Sequence, residues 1–253
     1  MPRKDTSSQA SDGRADQPHI PYTSTVLARV RELIVTGELP LGSHLAAEPI
    51  ATRLGVSRTP VRNALSVLLA EGLVEHSVNR GFSVREISIR DVLGAIDLRA
   101  VIEARGCGLS VEYGWGPEET ATLDARIAAG REIVDRGEWS AEIEHDWYEI
   151  NRDIHAYIMR MAHNLTIRST VRMTLIYPIF GDAARLCPAV AQHVPQRHRQ
   201  IAGVVPDHVA VSQADHEAIA DAIRADDAEQ AERLMHAHVI AVKNRLTILA
   251  TRR

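Results

Sequence analysis

A chain of 253 residues is too long for one small module and suits one small and one medium domain. Its apolar share of 45% is that of ordinary globular proteins, and with only two Phe the cores must be mostly aliphatic. No run of about eighteen apolar residues occurs and the N-terminus lacks the apolar stretch of a signal peptide, so the expectation is a cytoplasmic protein without a membrane partner. Cys107 and Cys187 lie far apart, without the spacing of a zinc ribbon or redox pair, and read as reduced structural thiols. The formal charge of −4 argues against a polyanionic partner only on average. From Tyr22 to Arg85 seven Arg face five Glu, a local charge of +2, so the acidity lies in the remainder.

Residues 1–21, rich in Ser, Asp, Gln and Pro, have almost nothing to bury and are expected to be disordered. From Thr23 the spacing turns helical: Val26, Leu27, Val30, Leu33 and Ile34 share a face, and Gly37 ends the run. Pro40, Gly42 and Ser43 make a turn, and a short second helix runs from Pro49 to Leu54. Ser57 or Thr59 can then cap a third helix with Pro60 in its first turn and Val61, Ala64, Leu65 and Leu68 on its core face. Two β-like pieces follow, Leu73 to His76 and Phe82 to Arg85, joined by a turn with Asn79, Arg80 and Gly81. Ser88 to Asp91 has the form of a capping box. Beyond it every readable segment has helical period: residues 91–113, 117–136, 140–163, 165–185, 207–225 and 227–250. The expected fold is mainly α, with a winged helix-turn-helix over 22–87 and an all-α antiparallel bundle of six or seven helices over 88–253.

On the third helix, Thr59, Arg62, Asn63 and Ser66 project away from the apolar stripe and Arg58 sits in the first turn. Such a helix suits the major groove, where Arg bonds guanine at two points and small polar side chains reach bases or phosphates. The Asn79-Arg80-Gly81 tip lets the backbone approach an adjacent groove. A helix pair with a Gly-containing turn also occurs in proteins that never touch DNA. The stretch IATRLGVSRTPVRNALSVLLAEGLVEHSVNRGFSV, however, closely resembles the DNA-binding signature of the GntR superfamily of bacterial regulators. The resemblance implies DNA contacts from Ser57, Arg58, Thr59, Arg62, Asn79, Arg80 and Gly81. Glu48 stands where some members carry a DNA-contacting Arg, and an acid there repels phosphate.

An α/β ligand domain would need strand patterns and a fused aminotransferase roughly twice the remaining length. The stretches DVLGAIDLRAVIEARG, NRDIHAYIMRMAHNL and DHEAIADAIRADDAEQAERLMHAHV instead resemble the FadR-type C-terminal domain, FCD. From the residues alone, His155 falls in the stripe of Trp147, Asn151, Ile154, Ile158 and Met161; His216 falls with Ile219, Ala220 and Ile223; and His238 with Ala231, Leu234, Met235 and Val242. A single inward His is usually a hydrogen-bonded core residue. Three on three helices form a divalent metal site, Zn or Ni, completed by an oxygen ligand one turn from His155.

Resemblance to FCD proteins implies Asp at that oxygen position, where this chain has Asn151. Asn is a weaker ligand, so the site binds metal loosely, needs an effector's carboxylate, or is empty. Arg99 and Glu103, one turn apart, form either an ion pair on a solvated face or, with Arg99 inward, a grip for an effector carboxylate. Arg172 is a weaker candidate for the same task.

These features describe a regulator, expected to be a repressor and not an enzyme, that binds a palindromic operator as a homodimer at the nucleoid and responds to a small carboxylate. A metal-dependent hydrolase or lyase is the rival, since three His with an open position is also catalytic geometry, but it needs a general base. Glu217 adjoins His216 yet points about 100° away. A ligand-free architectural DNA binder is disfavoured by the inward polar groups.

Overall fold

The computed structural model describes residues 22–35, 37–78, 80–174 and 182–251. The expected N-terminal tail, residues 1–21, and Asn79 of the turn lie outside them.

The N-terminal part is built on three helices, α1 (Tyr22–Val35), α2 (Ala47–Leu54) and α3 (Arg58–Ala70). The apolar faces read from the period meet: Val30, Leu33, Val61, Ala64, Leu65 and Leu68 are fully buried. Gly55 closes α2 in the left-handed region at φ 66°, a conformation that glycine adopts without steric cost. A three-stranded antiparallel sheet of order β1-β3-β2 completes this part: β1 (His44–Leu45), β2 (Val74–Ser77) and β3 (Gly81–Val84). Val74 pairs with Val84 and Ser77 with Gly81, which places the two wing strands one residue from their expected limits. β1 was not expected, because two residues carry no periodicity.

The C-terminal part opens with α4 (Ile89–Tyr113), whose capping box forms as expected: the Ser88 amide donates to Asp91 and the Asp91 amide donates to the Ser88 hydroxyl. It continues with α5 (Pro117–Asp135), α6 (Ala141–Met161), α7 (Leu165–Thr174), α8 (Ala183–Leu186), α9 (Pro188–Ala191), α10 (Asp207–Arg224) and α11 (Ala228–Thr251). The helix expected over 165–185 is described as α7 and α8, with 175–181 between them outside the described residues. α4 packs along α11 and against α6 and α7, so it is the central helix. Gly106 permits this, since a Cβ there would meet Met159 and would lie 3.2 Å from Ile167. Among the described residues no helix is long and apolar enough to cross a membrane.

The two parts have separate cores, and Leu41 packs against both. Leu65, fully buried in the first, and Val67, 40% exposed on the same helix, give a direct comparison. Leu65→Ala should cost about 2–5 kcal/mol in chemical denaturation monitored by circular dichroism, whereas Val67→Ala should stay within about 0.5 kcal/mol of wild type.

Candidate DNA interface and imidazole cluster

The outward face of α3 keeps the residues expected there. Ser57 sits at the N-cap with no side-chain capping bond, and Ser57, Arg58, Thr59 and Arg62 are exposed. Arg62 makes no ion pair among the described residues. Arg58 lies 3.6 Å from Glu48, with both side chains more than two-thirds exposed. A solvated pair of that length contributes little and yields readily to a phosphate. Arg80 is exposed at the wing, and Gly81 holds φ 71° where the chain turns into β3.

In the C-terminal part α6, α10 and α11 bring His155, His216 and His238 together, all buried, with ligand-capable atoms within 4.8 Å of one another. The His155 Nε2 lies 3.2 Å from the His238 Nε2 and 3.4 Å from the His216 Nε2. Their outer nitrogens explain why the inner ones converge. The His155 Nδ1–H donates to the Glu103 Oε2 at 2.5 Å and the His238 Nδ1–H donates to the Asp215 Oδ2 at 3.1 Å. An ionised carboxylate only accepts, so both bonds put a proton on Nδ1, and in a neutral ring Nε2 then carries a lone pair. With both rings neutral, two lone pairs face each other across 3.2 Å, an arrangement that a cation between them relieves.

The His216 Nδ1 is buried without a hydrogen bond among the described residues, and the ring stacks on Trp147. Burial, then the neighbouring His238 and His155, pushes the His216 pKa well below the ordinary histidine value, and burial also lowers that of His238 against the pull of Asp215. Both rings are therefore neutral at pH 7, the form that ligates a metal. Carboxylate-backed imidazoles with converging Nε2 atoms fit a divalent cation.

Arg99 and Glu103 do not lie on a solvated face. Both are buried, and the Arg99 Nε–H donates to the Glu103 Oε1 at 2.5 Å. Burial raises the Glu103 pKa, but the charge of Arg99, with the neighbouring His155 and the hydrogen bonds from both, outweighs it and holds it at about 2. Arg99, Asn151, His155 and His238 line one cavity of about 420 Å³, with His216 behind them. The Asn151 amide has no hydrogen bond among the described residues. Arg172 is not in that cavity. It is exposed and lines a second one of about 600 Å³, which Arg99 and His155 also border.

Sequence reasoning missed the roles of Glu103 and Asp215 behind the imidazoles. Each reaches a histidine on another helix, 52 and 23 residues away, and no local spacing signals such a pair. Glu217 is held by Arg131 through two bonds of 2.6 Å and so supplies no general base at the cluster.

Removing the negative charge bonded to both Arg99 and His155 should be costly. Glu103→Gln is expected to destabilise the chain by about 3–5 kcal/mol in thermal or urea unfolding, and a loss below about 1 kcal/mol would contradict the geometry described.

Residues 22–84 match the family "Bacterial regulatory proteins, gntR family", and residues 95–241 match the FCD domain. Among similar proteins, the "Probable D-xylose utilization operon transcriptional repressor" of Paenarthrobacter nicotinovorans is 29% identical over 86% of this chain and 87% of its own. The HTH-type transcriptional regulator BphR of Paraburkholderia xenovorans, named as uncharacterised, is 28% identical over 83% of this chain and 79% of its own. Of solved structures, Escherichia coli McbR/YncC superposes with a TM-score of 0.65 at 19% identity, over 89% of this chain and 97% of that one, and shares the fold. GntR regulators bind operator DNA and FCD domains bind small-molecule effectors, often with a metal; these families are regulators and not enzymes. With the winged helix-turn-helix and the helical bundle both in place, the chain belongs to the GntR family of transcriptional regulators and carries an FCD effector-binding domain.

Proposed function

We propose that this chain is a repressor: as a homodimer it binds a two-fold symmetric operator through residues 22–87, and a small organic acid bound in residues 88–253 weakens that binding. The observation that carries the reading is the pairing of an exposed, arginine-bearing α3 with an inward cluster of neutral imidazoles beside a cavity. Ser57, Arg58, Thr59 and Arg62 would meet bases and phosphates in the major groove, and Asn79, Arg80 and Gly81 the neighbouring backbone. The site of action would be the cytoplasmic nucleoid.

His155, His216 and His238 would hold Zn²⁺ or Ni²⁺, both suited to imidazole. Asn151 and the effector's carboxylate would complete the coordination, with Arg99 as a further partner for that carboxylate. Arg172 would serve only an anion in the outer cavity. Dimerisation is supported by α4, where Leu98 and Val101, one turn apart, are 46% and 61% exposed.

A route from cavity to operator is supported by α8 and α9. Ala183 of α8 borders the cavity, while Pro188 of α9 lies 3.5 Å from where a Cβ would stand on Gly37, in the turn after α1. Closure of α8 and α9 around a ligand would shift α1 and with it the spacing of the two α3 helices. A coupling of only about 1–3 kcal/mol changes operator affinity by about 5- to 150-fold.

Arg58→Ala/Arg62→Ala should weaken binding to the DNA upstream of the protein's own gene by about 10-fold or more in gel shift or fluorescence anisotropy, with the fold unchanged by circular dichroism. Wild-type affinity in that variant would overturn the reading.

A further inference from the structure

The cavity beside the imidazoles is polar at its two ends and carbon along its length. Asp207, His208, Val211, Ser212 and Asp215 of α10 line it, as do His238, Val242, Arg245 and Leu249 of α11. Asp215 meets His238, so the antiparallel pair runs from the imidazole end to an end marked by His208 and Arg245. Eight residues of helix separate Asp207 from Asp215, a span of about 12 Å. Between the ends the wall among the described residues is Ile96, Trp147, Val211, Val239 and Val242, with Ser212 among them, and Leu249 lies one turn beyond Arg245.

Among the described residues the far end offers no net positive charge to a second acid group. Arg245 is engaged by both oxygens of Asp182, at 3.0 and 3.1 Å. His208 lies 3.3 Å from the Tyr148 hydroxyl, and burial, then the adjacent Arg245, holds its pKa down at about 4, so it is uncharged at pH 7. Exposed Asp207 adds a negative charge at the mouth. A second carboxylate placed there would lose its hydration and meet an already neutralised cation. A polyol would leave its hydroxyls against carbon.

We infer that the ligand of this cavity is a monocarboxylic acid with a single apolar tail of about eight to ten carbons, its head at the cation-loaded imidazoles and its tail between α10 and α11. The inference rests on the reading above only in taking the imidazole end as the seat of the acid. The volume agrees: about 420 Å³ is the liquid share of about fourteen waters, room for a chain of that size.

The test is a ladder of straight-chain monocarboxylates from acetate to decanoate, titrated into zinc-loaded full-length protein by calorimetry, beside octanedioate and D-xylose. Affinity should rise about three- to fourfold per methylene and level off near octanoate or decanoate, with octanedioate at least about 10-fold weaker than octanoate. Val242→Thr, of nearly the same volume, should weaken octanoate while leaving acetate unchanged. A flat ladder, an optimum at acetate or propanoate, octanedioate or D-xylose binding as tightly as octanoate, or no octanoate binding at about 1 mM would each overturn the inference. Operator anisotropy on the same samples separates the two readings. Octanoate that binds without weakening the operator complex counts against the regulatory reading alone, and a short or dibasic acid that releases operator while the ladder stays flat counts against this inference alone.

Discussion

The C-terminal part is organised around one buried carboxylate. Glu103 is wholly inside, and an isolated carboxylate there would sooner take up a proton than remain charged. Arg99 on one oxygen and His155 on the other keep it ionised, so three side chains from α4 and α6 are fixed by a single charge. That charge sets the His155 proton on Nδ1 and turns its Nε2 toward His216 and His238. Asp215 does the same for His238 from the next helix. The orientations of His155 and His238 are thus tied to the carboxylates bonded to them, while His216 stacks on Trp147.

The same economy separates the two halves of the molecule. Helix α3 turns its polar residues outward, where Arg58 and Arg62 stay hydrated and Glu48 makes only a loose contact. The helices α4, α6, α10 and α11 turn polar residues inward, where Arg99, Glu103, His155 and His238 are hydrogen-bonded. Among the described residues Leu41 packs on both cores, and the short α8 and α9 touch the cavity at one end and the Gly37 turn at the other. Small contacts of this kind suit a switch, because few interactions must be exchanged when the halves shift.

Much of this was legible in the sequence because helical period is a strong signal when a face is apolar. Val61, Ala64, Leu65 and Leu68 gave the buried side of α3, and the three histidines each fell on an apolar stripe that the structure buries. The capping box at Ser88 was local and therefore readable. What escaped notice depends on distant partners. Arg99 and Glu103 looked equally suited to a solvated face, and only the packing of α4 against α6 and α11 put them inside. Asp215 stood beside His216 in the chain but serves His238. β1 is two residues long and exists because β3 offers it an edge, and Arg172 carries the right charge on a helix that turns it toward another cavity.

The central claim, a proposal, is that three imidazoles, His155 and His238 among them oriented by Glu103 and Asp215, hold a divalent cation. Metal content per chain, measured on protein purified without chelator beside the His155→Ala/His238→Ala double variant, tests it most directly. The account predicts about one equivalent of zinc or nickel in the wild type and almost none in the variant. Equal metal in the two, or none in a wild type resupplied with both ions, would contradict it.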